Sequence, residues 1–221
     1  MADRDAVTTS QPYPLEAPGL WVERIGTSVF PAGTPALFLD RDGTINVDTD
    51  YPSDPADIVL REDIAPVIAA ANRAGIPVVV VTNQSGIARG YFGWPEFAAV
   101  NARLLALLEA QNCRIDLVLA CAYHSSGTGE LAAVDHPMRK PNPGMLLRAR
   151  DLLCVDISRS IIVGDKADDM EAGRRAGLCE GWLVNGRSDR TPGEGASRTR
   201  NLTTDNDHSK LCDAIAELGR D

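Results

Sequence analysis

The chain has 221 residues, with 22 Lys plus Arg against 31 Asp plus Glu, giving a formal charge of −9. That balance argues against a protein whose main task is holding nucleic acid, because a phosphate backbone needs a basic footprint; a small phosphorylated molecule stays open, since a few local cations or a metal suffice for it. Apolar residues at 44% and charged residues at 24% are ordinary globular values and exclude a disordered chain.

Residues 1–35 hold five prolines, Pro12, Pro14, Pro18, Pro31 and Pro35, which lock φ and remove donors, so an irregular arm is expected there. Trp21, Val22, Ile25, Val29 and Phe30 could anchor it to the body, residues 36–221. Five apolar runs follow in the body: ALFLD from Ala36, Val78–Val81, Ile115–Ala122, Ser160–Asp165 and Leu178–Val184. Continuous runs of this length predict strands buried on both faces. Helical patterns lie between them: Asp63–Ala74 closing on Gly75, Pro95–Gln111, Pro143–Leu153, and Ala167–Ala176 closing on Gly177. Tyr91, Phe92 and Trp94 are expected to pack against the Pro95 helix. Residues 185–209, rich in Gly, Ser, Thr, Asn, Asp and Arg, predict a long loop, and Leu211, Ile215 and Leu218 form one stripe of a closing helix. The alternation implies an α/β fold, a three-layer Rossmann-like doubly wound parallel sheet.

The cysteines, Cys113, Cys121, Cys154, Cys179 and Cys212, are odd in number and lack short paired spacings, so a reducing compartment is expected rather than a disulfide framework. The N-terminus lacks the apolar centre of a signal peptide, and no apolar run approaches the roughly 18 residues of a membrane span. A cytoplasmic monomer without membrane or nucleic-acid partners is the expectation.

In an open parallel sheet, ligands bind beyond the carboxyl ends of the strands. The polar residues there are Asp40 and Asp42, then Thr82 and Asn83, then Asp165, Asp168 and Asp169, with Arg139 and Lys140 in the loop before the Pro143 helix. Acids converging on one edge repel unless a cation sits among them, and an all-oxygen set suits Mg²⁺. A hydroxyl and a lysine beside that metal are what a phosphoryl group needs.

The segments LFLDRDGTIN, VVVVTNQSGIARG, RKPNPGM and IIVGDKADDM, in this order and strand context, resemble the four motifs of the haloacid dehalogenase superfamily of phosphohydrolases over roughly residues 36–185. TNQSGIARG and RKPNPGM further resemble the branch that acts on heptose bisphosphates and histidinol phosphate. The resemblance implies that Asp40 is the nucleophile that forms an aspartyl-phosphate. It implies that Asp42 is the general acid and base. Residues two apart at a strand end can face one side, and Asp42 must hold a proton in the first step, so its neighbours are expected to raise its pKa. The Asp40 carboxylate, the Asp42 carbonyl and Asp165 would ligate Mg²⁺. Thr82, Asn83 and Lys140 would hold the phosphoryl oxygens, and Asp169 would brace the site from behind. Asp168 is read as a helix-terminus acid. Gly43 would let the chain leave the strand sharply. Arg139 and Arg89 are the candidates for gripping a second phosphate.

One departure from the family pattern lies between Cys121 and Lys140, where relatives carry a zinc-knotted loop of Cys-x-His and Cys-x-Cys. Here Tyr123 stands at the His position, and His136 and Met138 stand at the two later Cys positions. Cys121, His124 and His136 supply only three ligands, so zinc is not expected. Without a long insertion the enzyme should be capless. A heptose bisphosphate is the leading substrate, with histidinol phosphate as the alternative. A polynucleotide 3′-phosphate ranks lower because of the charge, as does a non-enzymatic phospho-receiver, because a second aspartate suits turnover rather than storage.

Overall fold

The structure, a computed structural model, describes residues 13–184 and 198–220. Its strands are β1 (Leu15–Ala17), β2 (Leu20–Arg24), β3 (Leu37–Leu39), β4 (Val78–Asn83), β5 (Leu117–Cys121), β6 (Ile161–Gly164), β7 (Glu180–Val184) and β8 (Arg198–Leu202). Its helices are α1 (Ile64–Ala74), α2 (Ser85–Ala88), α3 (Trp94–Glu109), α4 (Gly144–Leu153), α5 (Ala167–Ala176) and α6 (Asp205–Leu218). The strands form one sheet in the order β1-β2-β5-β4-β3-β6-β7-β8. β5 through β8 in that order pair in parallel, while β1 and β2 are antiparallel.

Strand periodicity sorts the core into two layers. Leu37, Leu39, Val78, Val80 and Val163 face α1, α3 and α6 through Ile68, Phe97, Leu104, Leu211 and Ile215. Phe38, Val79, Val81 and Ile162 face α4 and α5 through Met145, Leu146, Ala149 and Ala172. Both faces are covered, which is why these strands read as unbroken apolar runs. The strand order reverses at β3, flanked by β4 and β6, so the carboxyl ends of these three strands surround one crevice. The segments that rise over it, 41–63 and 122–143, contain only short 3-10 turns at Pro55–Asp57 and Gly129–Leu131. Among the described residues no helix is long and apolar enough to cross a membrane.

Two regions differ from expectation. Part of the proline-rich arm is a hairpin, with β2 pairing along β5 from Leu20↔Cys121 to Arg24↔Leu117. Its prolines sit at the edge or in the connection, where a missing donor costs little. Trp21 anchors it, 5.7 Å from Trp94 and 5.0 Å from Phe97, whereas Val29 is exposed. The expected loop 185–209 also contains structure: 185–197 lie outside the described residues, but β8 and the first turn of α6 follow. Arg198–Leu202 has one apolar side chain because it is an edge strand with only Leu202 buried. α6 begins at Asp205 because Thr204 caps it, accepting from Asp207 N at 3.3 Å while Asp207 Oδ2 accepts from Thr204 N at 3.2 Å.

Candidate active site

Asp40 follows β3 directly, and its N–H donates to Val163 O at 3.0 Å, which fixes it between β3 and β6. Gly43 turns the chain away at φ 85, and any Cβ there would collide with the Asp165 carboxylate. The sharp exit therefore serves two ends: it reverses the chain, and it lets the β6 acid approach.

Lys140 enters from the loop before α4 and is 3% exposed. Its Nζ donates to Asp40 Oδ1 at 2.7 Å and Val81 O at 2.7 Å, and lies 2.5 Å from Asp169 Oδ1. Burial opposes its charge, but Asp169 and Asp40 outweigh burial and hold its pKa above the ordinary lysine value. The Asn83 side chain fixes the Lys140 backbone from both sides, donating to its carbonyl at 2.9 Å and accepting its N–H at 3.1 Å. The Asn83 side-chain amide is thus committed to aiming the lysine. Thr82 Oγ1 is buried and accepts from Gln84 Nε2 at 2.9 Å.

Asp40, Asp165 and Asp169 bring carboxylate oxygens within 4.8 Å of one another. Burial and the Asp40 charge push Asp165 up to about 7. Burial pushes Asp169 up to about 6 against the pull of Lys140. Asp165 Oδ1 is buried and makes no hydrogen bond among the described residues. Asp169 differs, since its second oxygen accepts from Lys166 N at 3.0 Å. Asp168 is exposed in the first turn of α5 and lines the cleft.

Asp42 corrects one expectation. Arg41 grips its carboxylate through Nε at 3.0 Å and Nη2 at 2.9 Å, while Asn46 and Gln84 donate at 3.1 and 2.9 Å. Burial raises its pKa, but the Arg41 charge and these hydrogen bonds outweigh burial, so Asp42 lies below the ordinary carboxylate value rather than above it. Arg41 is itself fully buried, 5.2 Å from the centre of the Phe97 ring. Arg41, Asn46 and Gln84 were not singled out from the sequence, although they stand in or beside the recognisable segments.

A cleft of about 350 Å³ joins Asp40, Asp42, Thr82, Asn83, Lys140 and Asp169 to Arg89 and Arg139. Arg139 Nη1 donates to Tyr123 O at 3.2 Å. The loop expected to lack zinc is tied by other contacts. The rings of Tyr123 and His136 stack at 3.8 Å, and His136 Nδ1 accepts from Met138 N at 3.2 Å. Cys121 is buried in β5, and burial pushes its thiol up to about 11. Tyr91 is exposed rather than packed on α3, and meets Tyr51 edge-on at 5.1 Å.

Residues 137–206 match the family model for HAD-hydrolase-like proteins. Over 221 residues the chain is 62% identical to D-glycero-β-D-manno-heptose-1,7-bisphosphate 7-phosphatase of Mesorhizobium japonicum, covering 100% of this chain and 99% of that one. The crystal structure of a HAD-like phosphatase from Mesorhizobium loti matches with a TM-score of 0.90 and 63% identity, over 95% of this chain and 99% of that one. D,D-heptose 1,7-bisphosphate phosphatase from B. bronchiseptica, complexed with magnesium and phosphate, matches with a TM-score of 0.65 and 28% identity, over 83% of this chain and 96% of that one. With this similarity along its whole length, the chain belongs to the haloacid dehalogenase-like phosphatases and is a phosphoric monoester hydrolase.

Proposed function

We propose that the cleft removes the 7-phosphate from D-glycero-β-D-manno-heptose 1,7-bisphosphate, through an aspartyl-phosphate on Asp40 and with Mg²⁺. The observation that carries the substrate is the full-length 62% identity to a relative named for that reaction. Release of phosphate from the heptose bisphosphate, histidinol phosphate and a 3′-phosphorylated oligonucleotide tests it. The first should be hydrolysed with the highest kcat/KM, and a preference for either of the others would overturn the substrate.

The donor set fits a hard divalent cation: carboxylate oxygens only, with Asp165 Oδ1 buried and otherwise unsatisfied. Asp40, the Asp42 carbonyl and Asp165 would hold it, and when bound it would offset the negative charge gathered on carboxylates and phosphoryl group. Asp169 holds Lys140 and the start of α5, a role consistent with bracing.

The residues divide the chemistry as follows. An Asp40 carboxylate oxygen attacks phosphorus, and the bond from phosphorus to the sugar oxygen breaks. Lys140 meets the phosphoryl charge and Thr82 offers its hydroxyl. Asp42 gives its proton to the departing sugar oxygen. Because Asp42 is ionised in the free protein, that proton must be taken up when the phosphate arrives, whose charge raises the pKa of a neighbouring carboxylate. Asp42, ionised again, then takes a proton from water. The resulting hydroxide attacks phosphorus, the bond to Asp40 breaks, and inorganic phosphate leaves.

A bisphosphate carries a second anion, and Arg139 faces the cleft beside Lys140. Losing a charge-assisted contact costs about 1.5–3 kcal/mol, roughly ten- to a hundred-fold in kcat/KM. Arg139→Ala should impose that loss on the bisphosphate and far less on a monophosphate; steady-state kinetics on both substrates check it, and equal losses would count against the role.

Zinc has no part in this reading. His124 Nδ1 is taken by Ser126 N at 2.9 Å, and His136 is stacked on Tyr123. Metal analysis after dialysis should find no stoichiometric zinc, and one equivalent per chain would contradict this. The five cysteines are free thiols, in keeping with a reducing, cytoplasmic setting.

A further inference from the structure

We propose that His124, Arg89 and Tyr51 form a cradle of converging hydrogen-bond donors at the mouth of the cleft, which takes the second, non-reacting phosphate of the substrate. The proposal deepens the bisphosphate reading and rests on it.

The first observation is a meeting of two donors. His124 Nδ1 accepts the Ser126 N–H at 2.9 Å. Burial and the charges of Arg139 and Arg89 hold His124 below its ordinary pKa, so the ring is neutral and carries one proton. With Nδ1 accepting, that proton sits on Nε2. Nε2 lies 3.2 Å from Arg89 Nη2, which can only donate. Two N–H groups that face each other repel unless one acceptor serves both, and a phosphate oxygen does so.

The second observation is the state of Arg89. Its Nη1 donates to the Tyr51 hydroxyl at 3.1 Å. The hydroxyl oxygen is thus occupied as an acceptor, and its own proton is free to donate. Arg89 Nε is buried and makes no hydrogen bond among the described residues. Arg89 also forms no ion pair with a carboxylate among the described residues, although it is half-buried. Among the acids on the same rim, Asp48 lies 3.7 Å from Lys166 Nζ, while Asp50 forms no ion pair among the described residues.

The third observation is that the backbone holds Tyr51 in place against strain. Asp50 and Tyr51 take φ of 53 and 60, a left-handed conformation that an aromatic residue rarely adopts. The Tyr51 ring passes over Gly86, where a Cβ would come within 2.9 Å of Tyr51 Cδ1. A glycine in α2 therefore admits the ring, and Tyr91 meets its edge. Arg89 follows α2 immediately, so the same turn supplies both the space for Tyr51 and the guanidinium that its hydroxyl meets.

The experiment compares heptose 1,7-bisphosphate with heptose 7-phosphate, which lacks only the second phosphate, on wild type, His124→Ala and Tyr51→Phe. Wild type should favour the bisphosphate. His124→Ala should lower kcat/KM for the bisphosphate roughly ten-fold and Tyr51→Phe about five-fold, with less than about a two-fold change on the monophosphate. Equal losses on both substrates, or no loss on the bisphosphate, would overturn the cradle while leaving the bisphosphate reading intact. A wild type that hydrolyses both substrates equally would overturn the reading and the cradle together. If His124→Ala fails to fold, Tyr51→Phe decides alone, since it removes one oxygen from a residue that is 40% exposed.

Discussion

Asp40→Asn should abolish turnover and leave the fold in place. The amide has the shape of the carboxylate but not its nucleophilic charge, so the rate should fall by roughly 10⁴-fold or more, the scale on which loss of a covalent nucleophile is felt. Stability should survive because Lys140 keeps Asp169 at 2.5 Å and Val81 O at 2.7 Å. The buried ammonium is not left unpaired, which is the circumstance that makes removal of one partner costly. Loss of the Asp40 charge also relieves Asp165, whose pKa that charge helps raise. Initial rates and thermal melts on the same preparation check both halves. A variant that turns over near the wild-type rate would end the aspartyl-phosphate mechanism.

Asp42→Asn should behave differently, losing both rate and stability. Removing a general acid and base costs on the order of 10²–10⁴-fold. Hydrolysis of the phosphoenzyme should suffer with it, so phosphorylated Asp40 should accumulate during turnover. The stability loss comes from the donors around the carboxylate. Oδ1 receives Arg41 Nε and Asn46 Nδ2, while Oδ2 receives Arg41 Nη2 and Gln84 Nε2. Whichever way the Asn amide is turned, its NH₂ faces two donors, and the fully buried Arg41 loses its counter-charge. Breaking a buried pair costs about 3–5 kcal/mol; Asp42, whose side chain is 14% exposed, belongs at the lower end. The sign with pH follows from the lowered pKa. The stabilisation Asp42 provides is present above its ordinary value of 3.8 and fades as pH falls towards its lower folded value. The gap in melting temperature between wild type and Asp42→Asn should therefore narrow on acidification below that point. A variant with wild-type stability and no accumulated phosphoenzyme would contradict this account of Asp42.

The parts of this molecule that the sequence makes legible are those where one physical demand dominates. Strands buried on both faces must be apolar throughout, so β3 to β7 stand out. The acids at their carboxyl ends stand out for the same reason, as the first polar residues after an apolar run. Edges carry no such demand: Arg198–Leu202 joins the sheet through its backbone, with one buried side chain. Around Trp21, a hairpin that tolerates prolines at its margin reads like a loop. Within the site, the spacing of Asp40 and Asp42 points to a shared side but not to what grips Asp42. Arg41 looks like a surface charge between two acids, yet it turns inward onto Phe97. Its hold on Asp42, and the use of Asn83 to aim Lys140, depend on contacts between segments far apart in the chain, which no local pattern encodes.

The central claim is that this site takes one particular phosphate from one bisphosphate. Following heptose 1,7-bisphosphate by phosphorus NMR in the presence of enzyme and Mg²⁺ tests it most directly. The account predicts that the resonance of the phosphate on C7 disappears as inorganic phosphate grows, while the resonance of the phosphate on C1 persists. Loss of the C1 phosphate first, or two unchanged resonances, would contradict it.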